Sequence, residues 1–182
     1  RSDTTVYVET DTAFRCLLLP TTSGTFIRLI CFSSDTEDVL LLAAAQPTAP
    51  PLRIAPRRSG RIYDVDHGGG PLIIRTNRRS DFAVYAAASP GLSEHRWRDL
   101  GRPYAGAFVE HMHAFRRHVL LVERCRGAMR IRSICLASKR ASILALPRTV
   151  GTMWVTPVPG MSAGVARIGY TSLVTPVAYY DC

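Results

Sequence analysis

Apolar residues in this chain gather in short runs separated by proline, glycine and small polar residues. Thr4–Glu9 alternates around Val6 and Val8 and predicts a strand, and Ala13–Leu19 is a second apolar run stopped by Pro20. Thr21-Thr22-Ser23-Gly24 reads as a turn and Thr25–Phe32 as a buried strand. Ser34 with Glu37 three residues later has the form of a capping box ahead of an apolar run, which predicts a helix over about 35–45 with acidic residues in its first turn. Residues 46–56 hold four prolines and are expected to form an extended linker.

Beyond that segment, Arg61–Val65 and Leu72–Arg75 predict strands flanking the loop Asp66-His67-Gly68-Gly69-Gly70-Pro71. Asp81–Ala88 suits strand by its aromatic and β-branched residues and helix by its alanines, and Ser93–Leu100 fits a short capped helix. Tyr104–Glu123 fits either a helix or two short strands. Met129–Leu136 and the stretch from Val150 to Tyr180 read as strands and turns, and no internal repeat is visible. The expected fold is α+β: one strand-rich domain over 1–182, with the helix at 35–45 and one or two further short helices.

Composition sets the outer bounds. The chain has 182 residues and a formal net charge of +9, enough for one globular domain and far from a disordered composition. No apolar run approaches the roughly 20 residues a membrane helix needs. Lys139 is the only lysine, so 22 of the 23 basic residues are arginine. The skew fits codon usage in a GC-rich genome, or selection for guanidinium forks that grip phosphate and carboxylate. Arginines cluster at 57–61, 75–79, 96–98, 116–117 and 124–132, among Tyr63, Phe82, Tyr85, Trp97, Tyr104 and Phe115. Such interleaving suits RNA or another anionic partner. The chain begins at Arg1 rather than Met, which reads as a processed or excised product and favours an exported protein. Five cysteines form no Cys-x-x-Cys pair; Cys16 with Cys31, and Cys125 with Cys135, flank possible hairpins that would let each pair bridge, against a reading as buried free thiols.

Candidate chemistry is sparse. His111 and His113 would share one face of a strand and, with a Glu or a third His, could hold a metal; on a helix they would diverge. Asp64 and Asp66 would likewise share a strand face beside the glycine run, with a plain hairpin loop as the simpler reading. No cysteine sits with a histidine in a recognisable hydrolase context, which argues against a cysteine hydrolase, and a serine hydrolase is not expected either.

Several segments, taken in order, resemble secreted mono-ADP-ribosyltransferase toxin A subunits of the pertussis and cholera class. Phe14-Arg15 with Pro20 resembles the aromatic-Arg strand of that family, and Phe32-Ser33-Ser34 its strand ending in Ser-Thr-Ser. Ile62-Tyr63-Asp64-Val65 is similar to its Ile-Tyr-Glu-Val strand, and Ala105-Gly106-Ala107-Phe108-Val109-Glu110 to the segment leading to its catalytic glutamate. The resemblance implies NAD as cofactor, with Arg15 on its phosphate, Ser33 bracing the site, Tyr63 contributing to the pocket and Glu110 polarising the ribose. The family's glutamate pair is absent, since Glu110 is followed by His111-Met112-His113, so the implied enzyme is active or degenerate. The function expected is therefore an exported toxin- or effector-like protein that meets an anionic or host-protein partner. The alternatives are a non-enzymatic basic protein binding RNA, anionic glycan or a host protein, and a viral structural or accessory domain.

Overall fold

The computed structural model describes residues 3–91, 93–101, 106–144, 151–157 and 165–182. Among the described residues, four antiparallel sheets follow one another along the chain, each a simple meander. The first holds β1 (Arg15–Pro20), β2 (Phe26–Phe32), β3 (Glu37–Ala43) and β4 (Leu52–Arg53). The second holds β5 (Tyr63–His67), β6 (Leu72–Thr76), β7 (Ala83–Ala87) and β8 (Arg98–Asp99). β9 (Ala107–Ala114), β10 (His118–Cys125), β11 (Ala128–Cys135) and β12 (Ala141–Ile143) form the third, and β13 (Gly151–Pro157), β14 (Ala166–Ser172) and β15 (Thr175–Asp181) the fourth.

Successive sheets pack face to face, and each interface has its own apolar layer. Val39, Leu41, Ile54, Tyr63, Val65, Leu72, Ile74, Tyr85 and Trp97 join the first sheet to the second. Ile73, Val84, Ala86, Val109, Ala114, Val119, Leu121 and Ile134 join the second to the third. Leu120, Val122, Ile131, Met153, Val155, Ile168 and Tyr170 join the third to the fourth. Within β6, β7 and β10, neighbouring residues go to opposite layers, because side chains on a strand alternate with period two. A strand covered on both faces is therefore apolar throughout. Meanders stacked in this way are the blades of a β-propeller.

This architecture overturns the α+β expectation. Among the described residues, the only helical element is the 3₁₀ turn Glu94–Arg96, followed by β8, where a capped helix over Ser93–Leu100 was expected. The helix expected over 35–45 is strand β3. Its residues Asp38–Leu42 are all buried, since Val39 and Leu41 face the second sheet while Leu40 packs under Tyr7 and Phe14. A continuous apolar run has no periodicity that separates a buried strand from a buried helix. The polar residues before it form the β2–β3 hairpin tip. The Thr36 amide donates to Ser33 Oγ at 3.2 Å and the Ser33 amide to the Thr36 carbonyl at 2.8 Å, a local side-chain turn that competes with helix capping.

Other segments resolve similarly. Thr4–Glu9 forms no strand, and the proline-rich stretch 46–56 carries β4 and places Ile54 and Ala55 in the core. Tyr104 and Ala105 lie outside the described residues; from Ala107 onward the segment is β9 and β10, not a helix. Cys125 sits opposite Ala128 and Cys135 opposite His118, at the two ends of one ladder, so the expected Cys125–Cys135 bridge does not fit. Cys16 and Cys31 do face each other across β1 and β2.

The glycine run after β5 lets two blades approach. A Cβ on Gly68 would fall 2.3 Å from the Ala114 carbonyl oxygen and 2.5 Å from the Phe115 Cα. Both obstacles are backbone, which cannot swing aside. Gly68→Ala is expected to destabilise the fold by about 1–3 kcal/mol, read as a lowered midpoint in urea unfolding with an unchanged slope; a midpoint equal to that of the unsubstituted protein would show that the second and third sheets can separate at no cost.

Candidate functional site

The first strands of the first three sheets converge on a cavity of about 880 Å³. Leu17 and Leu19 of β1 and the turn Thr21–Gly24 form one side; Asp64 and Asp66 of β5 and His111 and His113 of β9 form the others. Arg28, Glu37 and Arg75 reach it from β2, β3 and β6. An apolar rim on one side and fixed charges on the other suit a flexible polar chain better than a small apolar ligand.

Asp66 organises the site. The buried carboxylate accepts from the Thr22 amide at 2.8 Å and the Thr22 hydroxyl at 2.7 Å, both on the β1–β2 turn. It also accepts from its neighbour His67 N at 2.8 Å and from the Ala114 amide at the end of β9 at 2.7 Å. One side chain thus ties three sheets together. Beside it, Ser23 Oγ lies 2.7 Å from His67 Nδ1, and the Ser23 amide donates to the His67 carbonyl at 2.8 Å. Arg28 crosses from β2 to Asp64 at 3.0 Å and also donates to the carbonyls of Val65 and Pro20. The oxygens of Asp66 and the Oδ1 of Asp64 thus meet protein donors, so the aspartate pair works as a structural bracket.

Arg75 and Glu37 differ from these. Arg75 donates to the Val109 carbonyl at 3.1 Å and its guanidinium lies 4.3 Å from the Phe82 ring centre. Burial holds its pKa below the ordinary arginine value, with Asp64, Glu37 and Glu110 opposing. The Glu37 carboxylate has no hydrogen-bond or ion-pair partner among the described residues. Burial raises its pKa above the ordinary 4.5; the charge on Arg75 opposes the shift and that on Asp64 adds to it. A desolvated carboxylate without a partner, facing a cavity, is positioned to take a cationic ligand.

The four residues put forward from sequence are not gathered in this cavity. Arg15 opens β1 opposite Phe32, with an exposed side chain, and Ser33 follows β2 at the same end of the ladder. Glu110 belongs to the third sheet and pairs with Arg124 at 2.6 Å. Tyr63 is only 1% exposed; its hydroxyl donates to Asp38 at 3.0 Å and accepts from the Val39 amide at 3.1 Å. His111 and His113 do share one strand face, as the i, i+2 spacing implies, and both line the cavity. Arg28, Glu37 and Arg75 were missed, although a lone arginine inside Phe-Ile-Arg-Leu-Ile-Cys-Phe signals a charge aimed into a protected space. The sequence also contains Gly160-Met161-Ser162-Ala163-Gly164, which has the spacing of a nucleophile elbow and lies outside the described residues. Its flanks β13 and β14 pair as an antiparallel hairpin, not as the strand and helix an elbow requires.

Two outcomes follow for the cavity wall. Asp66→Ala leaves the Thr22 and Ala114 amides without their acceptor and is expected to cost on the order of 3 kcal/mol, measurable by chemical unfolding; a change below the error of that measurement would remove Asp66 as the inter-sheet tie. Burial holds the His113 pKa below its ordinary 6.5, with Asp66 opposing and His111 adding to the shift. The unfolded chain then binds the proton first as pH falls, so His113 subtracts stability progressively below about 6.5 and nothing well above it. The stability of the unsubstituted protein should therefore fall relative to His113→Gln as pH drops below 6.5. Parallel pH profiles for the two proteins would contradict this.

Comparison with known proteins gives this geometry a family. The family model "Prolyl oligopeptidase, N-terminal beta-propeller domain" matches residues 1–182. The chain is 25% identical to a dipeptidyl aminopeptidase BI of Pseudoxanthomonas mexicana over 181 residues, 98% of this chain and 25% of that protein. It is 32% identical to a protease 2 of Moraxella lacunata over 76 residues, 42% of this chain and 11% of that one. Among solved structures, oligopeptidase B from Trypanosoma brucei superposes with a TM-score of 0.82 at 21% identity, over 97% of this chain and 26% of that one. The Leishmania major oligopeptidase B gives a TM-score of 0.82 at 20% identity, also over 97% and 26%. The chain thus spans about a quarter of the length of the relatives it matches in full. The ADP-ribosyltransferase resemblance, with the toxin or effector reading built on it, is overturned by this match over the whole chain and by the stacked meanders, and with it go the viral and free-standing basic-protein alternatives. The expectation of NAD rested on that resemblance. The chain belongs to the N-terminal β-propeller domain family of the prolyl oligopeptidases.

Proposed function

We propose that this chain is part of the propeller of an oligopeptidase-type enzyme, and that it acts on peptides by admitting and orienting them rather than by cleaving them. The observation that carries this reading is the convergence of three first strands on one charged cavity. The names of the matched relatives, an aminopeptidase and oligopeptidases, support peptides as the substrate class, and bond cleavage is assigned to the remainder of such a polypeptide. Within the cavity Glu37 is the group free to meet an ammonium or guanidinium of the peptide, while Arg75 offers a complementary cation for a carboxylate or backbone carbonyl. A positive peptide group beside Glu37 would draw its raised pKa back down, so binding would itself secure the charge that it uses.

In the enzyme containing this segment, Glu37→Gln is expected to raise KM for peptides bearing a positive charge by roughly tenfold, equivalent to ~1.4 kcal/mol. kcat for a small neutral substrate should stay unchanged, since only ground-state binding is removed. Equal KM values for charged and neutral peptides in both proteins would refute the orienting role of the cavity.

A further inference from the structure

We propose that Cys16 and Cys31 form a reversible cross-strand disulfide that fastens β1 to β2, with Cys16 as the thiol that meets the oxidant. The two residues are direct partners in the β1–β2 ladder, and their Sγ atoms lie 3.1 Å apart. Directly opposed residues in an antiparallel pair have Cα atoms about 4.5–5.5 Å apart, inside the disulfide range of about 4.4–6.8 Å. Closing the bond asks the two sulfurs to come about 1 Å closer. The surroundings make the two thiols unequal. Cys16 is exposed and Cys31 buried, under Tyr7 and Phe14 of the N-terminal segment. Burial pushes the Cys31 thiol up to about 12, with the bond to Cys16 adding to the rise and that to Tyr7 opposing it.

A metal is the competing occupant, because the Glu9 carboxylate and the two sulfurs lie within 4.8 Å of one another. Both Glu9 oxygens are already engaged. Oε1 accepts from Arg57 Nη1 and the Asp11 amide, and Oε2 from Arg57 Nη2 and the Tyr7 hydroxyl. Arg57 is itself held over the Phe14 ring at 3.9 Å. A metal would have to dismantle that anchor of the N-terminal segment, whereas a disulfide leaves it intact.

The fastening acts on an edge strand. All six residues of β1 are exposed, and among the described residues β1 pairs in the sheet with β2 alone. Yet Leu17 and Leu19 of this strand form one wall of the peptide cavity. With a small-molecule disulfide such as glutathione disulfide as oxidant, the Cys16 thiolate attacks one sulfur and expels one glutathione thiolate. Cys31 then gives up its proton and attacks the Cys16 sulfur of the mixed disulfide, expelling the second. The cysteine pair loses two electrons and two protons, and one glutathione disulfide becomes two glutathiones.

The test uses a variant with Cys125, Cys135 and Cys182 changed to Ser, treated with glutathione disulfide and examined by peptide mapping and thermal unfolding. The expected result is a peptide linked through Cys16 and Cys31 and a Tm higher by roughly 5–10 °C, from closing a loop of this length in a chain of this size. Dithiothreitol should reverse both. Adding Cys31→Ser should leave glutathione on Cys16 and abolish the rise. Glutathione retained on Cys16 while Cys31 is present, an unchanged Tm in the linked protein, or stoichiometric zinc binding that Glu9→Gln removes would each overturn the proposal. Mapping the unsubstituted protein in the same way keeps the test independent of how well the triple variant folds.

Discussion

Apolar layers hold the four sheets together, but an apolar layer has no preferred direction. The burial of leucine, valine and isoleucine faces is rewarded by area rather than by direction. The relative setting of the sheets must come from directional bonds, and the Asp66 carboxylate supplies the densest set. It sits on the second sheet, reaches the β1–β2 turn of the first through Thr22, and takes the Ala114 amide of the third. Gly68 completes the constraint by letting the backbones of the second and third sheets close to a distance that any side chain would prevent. The shape of the cavity is set by these contacts, since its walls are the strands that they hold in register.

The same logic recurs away from the cavity and explains what the arginines do. Asp38, wholly buried in the first sheet, is met by Arg53 at 2.8 Å, by Arg57 at 3.1 Å and by the Tyr63 hydroxyl of the second. Glu123, buried in the third sheet, is met by Arg130 at 2.9 Å and Arg132 at 2.6 Å across the β10–β11 ladder. Arg61 and Arg78 share Glu94, and Arg167 forks onto Asp181. A planar guanidinium satisfies two acceptors at once, so one arginine can close a buried carboxylate that would otherwise be costly to desolvate. Of the arginines in the clusters seen along the sequence, Arg57, Arg61, Arg78, Arg79, Arg124, Arg130 and Arg132 are thus partners for carboxylates near in space. The excess charge did not reveal this, because a count of residues does not record who faces whom.

How far the sequence could be read depends on whether a feature is local. The strands β2, β5, β6 and β11 were visible as short runs rich in apolar residues. The shared face of His111 and His113 followed from strand geometry alone. β3 was misread because a strand covered on both sides has no alternation, and because Ser33-Ser34-Asp35-Thr36 can cap a helix or turn a hairpin equally well. The repeat of four meanders was invisible, since blades repeat a backbone path and an apolar density rather than particular residues. The toxin resemblance failed for a related reason. Phe32-Ser33-Ser34 and Ile62-Tyr63-Asp64-Val65 record only a strand meeting a turn and a strand crossing a core, which unrelated sheets share.

The cavity charges needed the fold before they could be sorted. In sequence, nothing separates Asp64, Asp66, Arg28, Arg75 and Glu37 by role, each being a charge near an apolar run. In the structure, Asp64 and Arg28 pair with each other, and Asp66 is consumed by four donors. Arg75 rests on a ring and a carbonyl with only part of its valence used, and Glu37 has no partner among the described residues. Burial raises the Glu37 pKa and the charge on Arg75 opposes that rise, so the fold bears part of the cost of desolvating this carboxylate. A structural carboxylate in this protein is recognisable by its donors, as Asp38, Asp66 and Glu123 all are. By that standard Glu37 differs from all three.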